Sequence, residues 1–226
     1  MKWAFANRDL LIELTWQHVW VSALCIVLGF ALALPVGWFA YAAGGSSRRS
    51  LRQLSGGVLS IGSILYTIPS LPLLVILPSL LGLPWLSVLS IVIALTVYAF
   101  AIMVRSVADA LRSVPPMVLD SATACGYSRA QRAFTVTLPL AGPVMLASLR
   151  VVSVSTVSLL SIGALTGVRN LGSLFTNGYN RDFTTEIATG IVLTVIVAFV
   201  FDAIIVAIGR LLMPWSRVVR AGGGEG

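Results

Sequence analysis

IATGIVLTVIVAFVFDAIIVAI, residues 187–208, carries a single charged side chain, Asp202, in 22 positions. At 1.5 Å of rise per residue a helix of that length reaches about 33 Å, roughly the thickness of a bilayer's hydrocarbon core. Backbone groups in lipid have no water to bond and must be satisfied within the segment, so this stretch predicts a transmembrane helix. Four other apolar stretches, 19–43, 58–81, 85–104 and 139–165, predict the same. The expected architecture is an all-α integral membrane protein of about five spans.

The composition agrees. Of 226 residues, 58 % are apolar and 10 % charged, against about 25 % charged in soluble domains. Mean hydropathy is +0.96. Several function classes fall by counting. The only lysine is Lys2, so no G-x-x-x-x-G-K-[ST] phosphate loop can exist. The only histidine is His18, which removes H-E-x-x-H zinc chemistry, and Cys25 and Cys125 are too few and too far apart for a disulfide framework or a cysteine metal site. No metal, cofactor or catalytic constellation is expected, and the chain reads as a non-enzyme. Its net charge of +7 suggests anionic lipid or nucleic acid. In a chain this apolar, membrane lipid is the expected partner and nucleic acid is not.

Basic residues set the orientation. Arg48, Arg49, Arg52, Arg105, Arg112, Arg129, Arg132, Arg210, Arg217 and Arg220 fall on one side of the expected spans. Lys2, Arg8, Arg169 and Arg181 fall on the other. The positive-inside rule places the N-terminus outside and the C-terminus in the cytoplasm. The first apolar run is too long for a signal-peptide core and is followed closely by three arginines, so it is expected to stay as a span. Gly82-Leu83-Pro84 predicts a tight turn between spans two and three. No internal repeat is visible, and the Gly-rich end, 221–226, reads as disordered.

The cytoplasmic segment between spans three and four is long: RSVADALRSVPPMVLDSATACGYSRAQRAFTVTL, residues 105–138. Asp109 lies four after Arg105 and three before Arg112, spacings that let the charges pair on one helix face. Pro115-Pro116 breaks that helix and can start another. Residues 117–125 predict a short amphipathic helix, ended by Gly126 in a left-handed conformation. Ser128 can cap a second short helix over 128–136, and Leu138-Pro139 opens span four.

Asp120-Ser121-Ala122, Gly126 and Val136-Thr137-Leu138-Pro139 resemble, in order and spacing, the E-A-A-x-x-x-G-x9-I-x-L-P signature of permease subunits of ATP-binding-cassette (ABC) importers. Asp120 replaces the Glu and Ser121 the first Ala. Thr67-Ile68-Pro69-Ser70-Leu71 is similar to the T-I-P-S-L segment of the osmoprotectant branch, the permeases for glycine betaine, choline, carnitine and related solutes. Leu111-Arg112-Ser113-Val114 with Pro116 resembles that branch's L-R-S-V-x-P, and Leu138-Pro139-Leu140 with Leu149-Arg150 its L-P-L…I-R. Thr166-Gly167-Val168-Arg169-Asn170-Leu171-Gly172 departs from the branch's G-A-G-G-L-G.

The resemblance implies a binding-protein-dependent type I importer subunit in the cell membrane. It implies an outer segment 1–18, one permease domain 19–212 with a coupling loop at about 113–137, and a tail 213–226. It implies three partners: cytoplasmic ABC ATPase subunits, an extracytoplasmic solute-binding protein, and a second permease, identical or homologous. Asp120, Ser121, Ala122, Gly126, Arg129, Arg132, Leu138 and Pro139 would couple to the ATPase, although ordinary positive-inside flanks also account for the two arginines. Another small solute, such as an amino acid, is the alternative within this reading.

Inside the membrane, Pro69 and Pro72 remove two backbone donors near the midplane of span two. Thr67, Pro69, Ser70 and Pro72 are therefore candidates for a pathway-lining hinge, or else a kink that helps helices pack. Arg150 and Asp202 are the deepest charges, expected in the inner half of the bilayer. Intramembrane charges pair or face a cavity, so a mutual pair and a ligand role both stand. An ion-coupled carrier or channel using Arg150 and Asp202 is the rival class, and it leaves the 120–139 spacing unexplained. His18 and Trp16 are expected at the outer edge of span one, where aromatic belts form.

Overall fold

A computed structural model describes residues 2–83 and 87–215. Pro84 of the expected turn, Trp85 at the expected start of span three, and the tail 216–226 with Arg217 and Arg220 lie outside the described residues. The helices are α1 (Lys2–Ala6), α2 (Arg8–Gly44), α3 (Arg49–Thr67), α4 (Ser70–Leu80), α5 (Val88–Arg112), α6 (Pro116–Ala124), α7 (Arg129–Arg132), α8 (Leu138–Ile162), α9 (Ser173–Asn180) and α10 (Thr184–Leu212). A π-helical turn, Ala133–Thr137, precedes α8, and a 3-10 turn, Gly163–Thr166, follows it.

Among the described residues, four helical runs are long and apolar enough to cross a membrane: α2, α5, the continuous stretch Arg129–Thr166, and α10. α3 and α4 make a fifth crossing only as a pair, bent by 100°. The expected single span over 58–81 is therefore two helices, which form a broken span or a re-entrant loop. The cause is local. Ile68 precedes a proline and is driven out of the helical region, to ψ 125°. Pro69 has no N–H to continue the ladder, and the helix restarts with Leu73 N–H bonding the Pro69 carbonyl at 3.2 Å.

α5 is the axis of the bundle. It packs most extensively on α2, and also on α8, α3 and α4. Membrane helices gain little from apolar burial alone and associate through close packing at small residues. Here Gly29 of α2 faces Ala99, and Gly37 faces Val107 and the Val104 carbonyl. Ala94, Ala99, Ala101, Ala108 and Ala110 of α5 are all buried. Met103, Val104, Val107 and Leu111 fill the space between α2, α5 and α8. Ser55 of α3 ties that helix to α2 by donating to the Ala40 carbonyl at 2.6 Å.

α2 is helical from Arg8, well before the expected start of span one. His18 lies buried within the bundle. It is 0 % exposed, and its Nε2–H donates to the Val157 carbonyl of α8 at 3.0 Å. Trp16, two residues earlier, is exposed.

Candidate functional site

The elbow between α5 and α8 is assembled from local hydrogen bonds. α5 ends where Ser113 N–H bonds the Asp109 carbonyl and the Ser113 hydroxyl bonds the Ala110 carbonyl. Pro115 is extended and Pro116 takes the first turn of α6, where a missing N–H has no cost. α6 ends in a Schellman arrangement: Gly126 N–H bonds the Thr123 carbonyl and Tyr127 N–H the Ala122 carbonyl. Gly126 has φ +84°, the left-handed region that a β-carbon disfavours. Ser128 then caps α7 reciprocally with Gln131, its Oγ accepting from Gln131 N–H while Gln131 Oε1 accepts from Ser128 N–H. Arg132 closes the elbow by donating Nη1–H to Thr123 Oγ1 at 2.8 Å.

The second short helix differs from its expected form. The expected helix over 128–136 does not stop before Leu138. It passes through the π-helical turn and merges with α8. Leu138 N–H bonds the Ala133 carbonyl, and Pro139 sits in the first turn of α8. The lengthened turn lets the helix pass a residue that cannot donate. The Pro139 carbonyl also accepts from Trp215 Nε1–H, beyond the end of α10, at 3.2 Å.

No residue of α6 or α7 is buried. Met117 is 76 % exposed, and Asp120 and Ser121 are also on the surface, with Ala122 half-buried. The elbow meets the bundle through Val114, Leu119 and Leu138, and through Phe134 stacked on Trp38 with centroids 6.2 Å apart. Just above it, Asp109 receives Arg112 at 3.1 Å and Arg105 at 3.6 Å. Arg105 also donates to Ser63 of α3 at 3.0 Å.

The other residues picked out from the sequence fall in two more places. Thr67, Pro69, Ser70 and Pro72 surround the 100° bend; Thr67, Pro69 and Pro72 are exposed and Ser70 is half-buried. Thr67 Oγ1 donates to the Ile64 carbonyl at 2.7 Å, which satisfies an acceptor at the broken end. Arg150 and Asp202 meet across α8 and α10. Nε donates to Oδ1 at 2.6 Å and Nη2 to Oδ2 at 2.9 Å, a bidentate fork.

Sequence reasoning missed α9 and the knot before it. Asn170 is 1 % exposed; its Oδ1 accepts from Gly172 N–H at 2.7 Å and its Nδ2 donates to the Val168 carbonyl at 3.0 Å. This is an Asx turn, for which Asn two before Gly was the available signal. A β-carbon on Gly172 would collide with the Ser161 carbonyl. The knot holds α9 against α8 and α10, and between the three lies an open groove of about 420 Å³.

Comparison with known proteins fits this arrangement. The carnitine transport permease protein OpuCD of Listeria monocytogenes serotype 1/2a (strain 10403S) is 27 % identical over 209 residues, covering 92 % of this chain and 89 % of that protein. The osmoprotectant import permease protein OsmW of Salmonella typhimurium is 29 % identical over 211 residues, covering 92 % and 94 %. Among solved structures, an inward-facing MetNI methionine ABC transporter shares the fold, with a TM-score of 0.75 at 24 % identity over 89 % of this chain and 97 % of that one. One family covers most of the chain, from residue 33 in the last third of α2 to residue 218, and on that match this chain belongs to the binding-protein-dependent transport system inner membrane components.

Proposed function

We infer that this protein is the membrane-spanning subunit of an ABC importer for a compatible solute such as glycine betaine, carnitine or choline, seated in the cell membrane. The observation that carries the reading is the elbow. α6 is well anchored at both ends, yet it turns Met117, Val118 and Asp120 away from its own bundle. Exposed apolar side chains on a rigid helix outside the spans suit a partner's groove, here on a cytoplasmic ATPase. Asp120, Ser121, Ala122, Gly126 and Arg129 make the contact or its shape. Arg132, Leu138 and Pro139 join the elbow to α8. Thr67, Pro69, Ser70 and Pro72 line the route at the hinge. A soluble binding protein delivers solute outside, a second permease supplies the other half of the pathway, and ATP is hydrolysed on a separate subunit. The solute class rests on the carnitine and osmoprotectant relatives.

The N-terminus lies outside and the elbow inside. A single cysteine at Ser128, with Cys25 and Cys125 replaced, is expected to react only from the cytoplasmic face; labelling only from outside reverses the orientation. Function is tested by binding-protein-dependent uptake of labelled glycine betaine, carnitine, choline and an amino acid. Gly126→Val strains the left-handed turn that aims α6, and Ala122→Arg crowds its small-residue face. Both variants are expected to reach the membrane, lose uptake and retain less ATPase on purification. Full uptake by both, at normal membrane levels, removes the elbow from coupling and favours an ion-coupled carrier.

A further inference from the structure

The Arg150–Asp202 pair sits where a purely structural pair is poorly placed. Arg150 lies well inside the continuous helical stretch Arg129–Thr166, so about 24 Å or more of helix separates it from either end. Its side chain is nevertheless 45 % exposed, and that of Asp202 26 %. Charges at such depth face the bundle interior or a water-filled cavity and not lipid. The open side of this pair therefore borders a polar space.

A second observation points the same way. Val154, Ser158 and Ser161 follow Arg150 along one flank of α8, at four, eight and eleven residues. Ile191 and Val195 precede Asp202 on the matching flank of α10, by eleven and seven. Ser158, Ser161, Ile191 and Val195, with Thr176 and Thr194, line the 420 Å³ groove, a size suited to a small organic solute. Thr176 and Thr194 give their hydroxyl hydrogens to the Ser173 and Gly190 carbonyls, which leaves oxygen lone pairs for a guest. Ser161 Oγ is shielded and has no hydrogen-bond partner.

We propose that the α8–α10 seam is a solute track whose outer station is the largely apolar groove, with the hydroxyls of Ser158, Thr176 and Thr194 on its walls, and whose inner station is Arg150–Asp202, a latch specific for zwitterions. A solute carrying both a carboxylate and a cationic group exchanges partners with the latch. Its carboxylate takes the guanidinium fork and its cationic group takes Asp202. All four charges stay paired, so no lone ion is stranded in low dielectric. With the track empty, the residues pair with each other. A cation lacking a carboxylate, such as choline, engages Asp202 only by leaving Arg150 unpaired. This inference rests on the compatible-solute reading above and sharpens it to zwitterions at the permease step.

The test uses the complete complex with its binding protein in proteoliposomes loaded with ATP, and labelled glycine betaine, carnitine and choline. The double variant Arg150→Met with Asp202→Leu removes the latch without leaving a lone charge. It is expected to assemble and to keep ATP hydrolysis stimulated by the loaded binding protein. Its uptake of both zwitterions is expected to fall at least tenfold, and that of choline much less. If the double variant does not assemble, Arg150→Lys keeps the pair but loses the fork, and is expected to raise half-saturation for the zwitterions alone. Wild-type zwitterion uptake by the double variant, or equal losses for all three solutes in either variant, overturns the latch. Wild-type uptake of choline but neither zwitterion overturns it too and leaves the importer reading standing. No uptake of any of the three by the wild type overturns both.

Discussion

α5 and α10 are both long apolar helices, yet 56 % of the most apolar window of α5 is buried inside the chain and only 11 % of that of α10. α5 is crowded with alanines and valines and touches four other spanning or half-spanning helices. α10 turns Val192, Ile196, Phe199, Val200, Ile204 and Ile208 outward. It is held along a narrow strip, with Gly190 against Leu174 and Phe175, and Gly209 against Leu146. The difference teaches that hydropathy measures how well a helix suits lipid and not how much of it meets protein. Lipid tails are as apolar as leucine, so an exposed Phe199 carries no penalty and packing must come from shape.

The contrast can be broken from the α5 side. A leucine at Gly37 would put its β-carbon 2.7 Å from the Val107 β-carbon and 2.8 Å from the Val104 carbonyl, and a backbone oxygen cannot retreat as a side chain can. Gly37→Leu is expected to force α2 off α5 at a cost of about 3 kcal/mol, the upper end for overpacking. The measurement is thermal unfolding of the purified complex in detergent, and an unchanged Tm would remove the α2–α5 seam from the core.

A smaller effect is expected at Met103, which is 0 % exposed on α5. Met103→Ala leaves a cavity between α2, α5 and α8. The expected loss is about 2 kcal/mol, the low end for such truncations, because transfer from lipid to protein interior adds little.

The smallest effect sharpens the other side. Phe199 is 71 % exposed on α10, and Phe199→Ala is expected to shift stability by less than about 0.5 kcal/mol. A loss as large as that of Met103→Ala, seen only when two permeases are assembled, would mean that a second chain and not lipid covers this face.

Much of this architecture was legible in the residues. The run of 22 residues with one charge marks α10 as a span, because the lipid core demands length and apolarity and little else. The two short helices of the elbow follow from Pro115-Pro116, Gly126 and Ser128, whose preferences act within a turn or two of themselves. The proline pair at 69 and 72 announces a break, but its angle of 100° depends on what α4 packs against, and local preference holds no such information. The join between α7 and α8 was hidden for the same reason: Pro139 reads as a stop until a π-helical turn carries the chain past it. The azimuth of each helix was also illegible. A span apolar on every side shows no preferred face, so nothing in its own sequence placed His18 inside the bundle or put Ser158 and Ser161 on a groove. By itself the sequence determined which segments enter the membrane and where the chain turns, since both depend on neighbours a few residues away. Only the tertiary structure decided that Arg150 and Asp202, 52 positions apart, share one fork on an open seam, since that depends on how two featureless cylinders rotate to bring their few polar groups together.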